Sequence, residues 1–211
     1  LAEAGVVPLL LGGDHSITLP HLRSMRGHGP VAVIMFDSHT DAWDQYYGER
    51  YTHGTWMRRA IEEGLVDVDH SIEVGLRGSL YDATDWTSLR DELGLDYLTT
   101  REVLAIGPEQ TAARIRERVG GRQAFISFDI DVIDPAFAPG TGTPEAGGLS
   151  SAQGLEIVRG LTGIDFVGFD VVEVIPGYDP GGVTATLAAN LAYEMVSLAA
   201  LRRARREGQG T

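Results

Sequence analysis

Asp37-Ser38-His39-Thr40-Asp41 and Asp129-Ile130-Asp131 carry a carboxylate or imidazole at every second position, and Gly12-Gly13-Asp14-His15-Ser16 sets another histidine beside an acid. Carboxylates packed this densely repel one another unless a cation sits among them, and buried unpaired ones cost several kcal/mol each. Residues two apart on an extended chain point the same way. Asp37, His39 and Asp41 therefore present three donors together if the extended conformation continues that far, and the same spacing pairs Asp129 with Asp131. Mixed imidazole and carboxylate donors suit Mn²⁺, Fe²⁺, Co²⁺ or Zn²⁺, whereas an all-oxygen cage suits Ca²⁺ or Mg²⁺; the carboxylate-rich set here favours Mn²⁺. Each cluster taken alone also fits a plainer role, since Asp14 or Asp37 can cap a helix or close a turn and a single histidine can be a hydrogen-bonded core residue. All three following apolar runs point instead to a metal pair.

Those runs, Val6 to Leu11, Val31 to Phe36 and Ala124 to Phe128, are rich in β-branched or aromatic residues and read as buried strands. Further strands are predicted at Ser71 to Leu76, Leu95 to Leu98 and Phe166 to Val172. Helices are predicted behind a Ser16 cap, from about Thr55 to Glu63 with Gly64 as the stop, from Thr84 or Asp85, and from Thr99 or Thr100. Others run from behind Pro108 to Val119, from Ser150 or Ser151 to about Leu161, and over about Thr184 to Arg203. The stretch Pro135 to Gly148 is too rich in Pro and Gly for regular structure. Strands alternating with helices build βαβ units, hence an α/β fold of three layers, α-β-α, around a mainly parallel sheet. Ligands bind at the carboxyl edge of such a sheet, so clusters distant in sequence are expected to converge there.

The 211 residues, 43% of them hydrophobic, fit one catalytic domain over 1–211,. Because the chain opens on Leu1 rather than Met and soon enters a strand, N-terminal strands are expected to be missing from it. With 30 acidic against 17 basic residues, the formal charge of −13 disfavours nucleic acid and anionic membrane surfaces and favours a small cationic substrate. The absence of cysteine removes disulfides and thiolate sites and is compatible with a cytoplasmic location. No apolar run approaches the roughly 18 residues that span a bilayer. The cations of Arg202-Arg203-Ala204-Arg205-Arg206 suit the end of a long helix,.

Gly-Gly-Asp-His-Ser, Asp-x-His-x-Asp and Ser127-Phe128-Asp129-Ile130-Asp131-Val132-Ile133-Asp134-Pro135 resemble the three signatures of the ureohydrolase family, which includes arginase, agmatinase and related guanidino-acid hydrolases. The resemblance extends through Thr52-His53-Gly54-Thr55, Pro139 to Glu145 and Asp170-Val171-Val172-Glu173-Val174. It implies an arginase- and deacetylase-like fold and two Mn²⁺ ions, one held by His15 and Asp41, the other by His39 and Asp131, with Asp37 and Asp129 bridging. The implied reaction is hydrolysis of a guanidino compound to urea and an amine. The ion pair would make the nucleophile from water, Asp41 would also orient it, Glu173 would hold the guanidinium, and His53 would pass a proton to the leaving amine. A homo-oligomer, trimeric or hexameric, is implied by resemblance alone.

Among substrates, agmatine, which would yield putrescine, is favoured by the acidic chain; guanidinobutyrate or guanidinopropionate follow and arginine is more remote. Tyr51 to Thr55, Gly75 to Ser79 and Gly142 to Glu145 look more like agmatinase and guanidinobutyrase than arginase. Arg50 or Arg77 can serve a carboxylate tail or be structural. Where agmatinases often carry Ser-Pro-Pro after the glutamate, this chain has Val174-Ile175-Pro176-Gly177, and Gly177 is expected to loosen the wall beside Glu173. A metallophosphoesterase would need Gly-Asp-x-x-Asp and Gly-Asn-His signatures, which are absent. A zinc deacetylase needs one metal and a histidine pair, and a non-catalytic metal-binding module would not need Glu173 or His53. His21, His28 and His70 are expected at the surface, Asp134 in a turn, and Ser127 buried and hydrogen-bonded.

Overall fold

The computed structural model describes residues 5–208, with side chains to 205; the opening Leu1 lies outside that range. Six strands form one sheet: β1 (Leu9–Leu11), β2 (Ala32–Phe36), β3 (Ile72–Leu76), β4 (Asp96–Thr99), β5 (Gln123–Asp129) and β6 (Asp165–Val172). Their order is β1-β6-β5-β2-β3-β4, and every neighbouring pair is parallel. From β2 the chain builds outward through β3 to β4, whereas β5 leads the other way to β6. The reversal falls between β2 and β5, which is the crevice where open α/β sheets bind ligands.

Alternation along each strand splits the core into two layers. Ile34, Phe36, Ile126 and Phe128 face α4 (Thr100–Val119), α5 (Ser151–Arg159) and α6 (Val183–Gly208). Val33, Met35 and Phe125 face α1 (Thr18–Ser24), α2 (Trp56–Glu62) and α3 (Asp85–Asp91). The predicted three-layer α/β architecture is the one observed. Helix starts follow local chemistry: Thr99 with Glu102 and Ser150 with Gln153 form capping boxes that satisfy the first free amides,. Two adjoining helices were expected around Pro108, and α4 indeed breaks at Gly107, whose φ is 80°.

Three expectations are corrected. The strand predicted over Val6 to Leu11 is paired only from Leu9, because β1 is a sheet edge with Leu11 69% exposed rather than a buried strand. Asp14, not Ser16, caps the turn before α1, its side chain accepting from the Ser16 amide. The helical segment Pro180–Arg205 contains an 18-residue stretch with a mean hydropathy of 1.2, sufficient by length and composition for a bilayer; Glu194 interrupts it in the sequence, and Leu187, Leu191, Met195 and Leu198 pack into the core.

A candidate metal centre and its cleft

The donors are positioned by turns, not by continued strands. Strand β2 stops at Phe36, Asp41 adopts φ 43°, and Asp131 sits in a 3-10 turn after β5. The extended geometry expected for Asp37 to Asp41 therefore does not occur. The physical reason recurs at each cluster: one carboxylate oxygen accepts the amide two residues on, as Asp37 does from His39 at 2.6 Å, Asp129 from Asp131 at 2.8 Å and Asp14 from Ser16 at 2.9 Å. These short loops fold each acid back on its own backbone. At Asp129 turn closure and presentation toward His15 are thus carried by different oxygens, whereas Asp37 Oδ1 both closes its turn and faces His39.

At Asp37 and Asp129 the second oxygen faces His15. Its Nδ1 lies 3.2 Å from Asp37 Oδ2, 2.9 Å from Asp41 Oδ2 and 3.1 Å from Asp129 Oδ2. His39 Nδ1 lies 3.0 Å from Asp131 Oδ2 and 3.5 Å from Asp37 Oδ1. Two compact donor groups result, His15-Asp37-Asp41 and Asp37-His39-Asp131, sharing Asp37. The turn bearing His15 reaches this point because Gly12 donates to the Val171 carbonyl and Glu173 to that of Gly13, which ties the end of β1 to the end of β6. All six expected ligands meet at the β2/β5 crevice.

Burial opposes charge on both histidines, but carboxylates outweigh it: Asp129, Asp37 and Asp41 push the His15 pKa well above its ordinary value, and Asp131 and Asp37 push His39 up to about 12. Burial, then Asp37, raises Asp41 to about 6, and burial with Asp131 and Asp37 raises Asp129 well above the usual range. Asp131 is lowered, burial being outweighed by His39 and the two Ser38 donors. His15 Nδ1 and Asp37 Oδ2 are buried without hydrogen-bond partners among the described residues. A nitrogen enclosed by three carboxylate oxygens, together with a second that faces two, fits a pair of divalent cations held by N and O donors.

Two further groups stand behind the ligands, of which only Glu73 had no signal in the sequence. Ser127, buried and hydrogen-bonded as expected, contacts His15 Nε2 at 2.8 Å and donates to Asp170 Oδ1 at 2.7 Å. Glu73, fully buried on β3 with both oxygens unpartnered, has its pKa raised well above normal by burial, then by Asp37 and Asp41. His21 corrects the surface expectation: it is 4% exposed, because Thr18 and His21 lie one helical turn apart on the inward face of α1. His28 is exposed, and His70 is half-buried on Asp67. Asp134 shapes its turn by accepting from Ala136, Gly147 and Gly148.

Beside the centre opens a cleft of about 180 Å³ whose lining includes Asp41, Asp129, Glu173, His53 and the aromatic residues Trp43, Tyr46 and Tyr81. Glu173 is half-buried at φ 60°; its Oε1 accepts the His15 amide at 2.6 Å, and burial raises its pKa. His53 stands at the mouth, 40% exposed, with Nδ1 3.4 Å from Asp14 Oδ2 and its ring edge-on to Tyr46. Trp43 and Tyr46 stack at 5.5 Å and 11°. Their only sequence signal was an aromatic loop between two ligand motifs. Arg77 is spent on the carbonyls of Asp131, Val132, Gly75 and Glu145, and Arg50 pairs with Asp44 and Glu62. Neither lines the cleft, and neither does Gly177.

A profile of the arginase family matches residues 1–197. The chain is 48% identical over 203 residues to a guanidinopropionase of Pseudomonas aeruginosa, covering 96% of this chain and 64% of that protein. It is 49% identical over 193 residues to a guanidinobutyrase of the same organism, covering 91% and 60%. The crystal structure of a hypothetical agmatinase from Burkholderia thailandensis superposes with a TM-score of 0.87 at 43% identity, covering 96% of this chain and 62% of that one. The chain thus spans less than two thirds of the length of these relatives.

Proposed function

Because this chain belongs to the arginase family, we propose that it hydrolyses a small linear guanidino compound to urea and an amine. His15, Asp37, His39, Asp41, Asp129 and Asp131 would hold two Mn²⁺ ions, Asp37 and Asp129 being shared. The observation that carries the reading is the convergence of six donors from three strand ends on one buried point, flanked by a cleft that Glu173 and His53 also line. When bound, the ion pair supplies a strong nucleophile from water near neutral pH.

The side chains of this protein do the rest. Glu173, anchored through Oε1 to the His15 amide, offers its second oxygen to the guanidinium, whose positive charge a partly desolvated carboxylate holds by charge-assisted hydrogen bonds. Asp41 accepts a hydrogen bond from the attacking water and aims it. His53, with Nδ1 turned toward Asp14 and its ring reaching both solvent and cleft, delivers a proton from Nε2 to the departing amine.

For the tail of the substrate, agmatine is the first reading. The cleft lining carries three carboxylates and no Lys or Arg among the described residues, and stacked aromatic faces attract a cationic amine. A second reading has its own observation: the Tyr46 hydroxyl, its pKa raised by a hydrogen bond with Tyr81, then by burial and Tyr47, belongs to a cluster of phenols able to donate to a carboxylate. Guanidinopropionate or guanidinobutyrate would then be preferred, in line with the names of the two Pseudomonas relatives. Urea release by Mn²⁺-loaded protein from agmatine, guanidinobutyrate, guanidinopropionate and arginine tests both. The best kcat/KM selects the tail, and no urea from any of the four rejects the reaction. A homo-oligomer, trimeric or hexameric, is proposed on family grounds and is tested by light scattering.

A further inference from the structure

Two segments distant in sequence share the outer wall of the cleft. One carries Trp43 and Tyr46, the other Leu80 and Tyr81, and all four line the opening. The Tyr81 ring stands edge-on to Trp43 at 5.2 Å and 73°, yet Tyr81 is 70% exposed. A pair of rings in contact contributes only about 0.5–1.5 kcal/mol beyond its buried area, too little to hold an exposed wall in one position. Trp43 is fixed at its backbone end. Its amide donates to the Gly54 carbonyl at 3.2 Å, and its ring lies so close over Gly54 that a Cβ there would come within 2.9 Å of it.

One carboxylate oxygen joins the two segments. Asp85, half-buried in the first turn of α3, accepts with Oδ2 from Trp43 Nε1 at 3.2 Å, from the Tyr81 amide at 2.8 Å and from the Asp82 amide at 3.2 Å. The far end of the indole and the backbone that carries the Tyr81 ring are therefore set by the same atom. Asp85 itself does not line the cleft. An acid in the first turn complements the helix dipole wherever its oxygens point; that role does not require an indole donor 42 residues away. We propose that Asp85 is a positioning residue for substrate selection: by holding Trp43 and Tyr81 on one oxygen it fixes the outer wall against which the tail of the guanidino compound packs, and so sets how long a tail the cleft accepts. Without that oxygen the Tyr81 segment loses its tie to Trp43, and the wall gives way to a longer tail.

The inference rests on this cleft taking the guanidino substrate, and its test separates the two. Hydrogen exchange of the Trp43 indole N–H, followed by nitrogen-15 NMR and assigned by its absence in Trp43→Phe, should be slower in wild type and Asp85→Asn than in Asp85→Ala. The asparagine oxygen keeps the acceptor that alanine removes. Equal exchange in all three overturns the proposal. For the best of the four guanidino compounds and its homologue one methylene longer, kcat/KM of the Mn²⁺-loaded wild type should differ by about 10–200-fold, the range one methylene commands in a packed pocket. Asp85→Ala should bring that ratio close to one, with KM for the preferred compound rising more than kcat falls, and Asp85→Asn should restore it. Lost fold stability by itself lowers Tm and leaves the ratio alone. A wild-type ratio in Asp85→Ala overturns the role, and so does an Asn variant that behaves as Ala. If Asp85→Ala does not fold, Trp43→Phe, which deletes the indole donor, should lower the ratio, and an unaltered one overturns the proposal. No urea from wild type with any compound rejects the reaction and the proposal with it; urea release with the wrong ratios overturns the proposal alone.

Discussion

Asp37→Asn separates metal binding from folding, because the two oxygens of Asp37 do different work. Oδ1 takes the His39 amide at 2.6 Å, and an asparagine oxygen keeps that turn. Oδ2 faces His15 Nδ1 at 3.2 Å, and an amide there removes one negative charge from both donor groups that share this residue. Asp37 raises the pKa of Asp41, Asp129 and Glu73, so in chelator the variant should be as stable as wild type or more so. With Mn²⁺ the order should invert. A site filled at about a thousand times its Kd stabilises the folded state by about 4 kcal/mol, and about 2–4 °C per kcal/mol for a domain of this size gives about 8–16 °C in Tm. Wild type should gain that shift per tight site, and Asp37→Asn should forfeit it, with affinity reduced beyond the roughly 10–100-fold typical of outer-shell losses. Paired melts in Mn²⁺ and in EDTA, with metal counted by atomic absorption, make the measurement. Two ions retained by the variant, or an equal destabilisation in EDTA, would refute the reasoning.

Glu173→Gln keeps an acceptor for the His15 amide but loses the charge that meets the guanidinium; kcat/KM should fall about 10–100-fold with both ions retained, as charge-assisted bonds imply, and an unchanged value contradicts the role. His53→Ala should lower kcat about 10²–10⁴-fold without altering metal content, and added imidazole should restore part of it; a normal kcat removes the proton-transfer assignment. Metal binding at pH 7 should release about two protons, because His39 is held near pKa 12 and His15 is also raised,. Calorimetry in buffers of different ionisation enthalpy counts them, and a count of zero rejects the protonated metal-free state. For the same reason metal-free stability should decline as pH rises from about 6.5 toward 12, since the folded state binds the extra proton throughout that window; a Tm rising between pH 7 and 9 contradicts it.

Much of the centre was legible in the residue order because its geometry is local. An aspartate that accepts the amide two positions on needs only its own neighbours, so Asp37 with His39 and Asp129 with Asp131 were recognisable as presented pairs. The apolar runs that end at these turns announced strands for the same reason. The extended conformation expected through Asp41 was wrong, since turn closure within the cluster competes with the sheet and wins once β2 runs out of partners. Pro108 likewise announced a helix start inside α4 through a backbone restriction that acts at the residue itself, and the break falls at Gly107 before it,.

Strand order, by contrast, follows from which apolar faces find each other across long loops, and no periodicity encodes that. Only the folded chain sets β2 against β5 and makes that pair the reversal point of the sheet, which brings Asp37 to Asp129 and His15 to both. It also decided that His21 turns inward beneath Asp170, that Glu73 lies buried near the ligands without a partner, and that Arg77 is consumed by four carbonyls. Side-chain type and spacing told which groups can bind a cation; burial, and with it the protonation of each group, arises only when distant segments exclude water together.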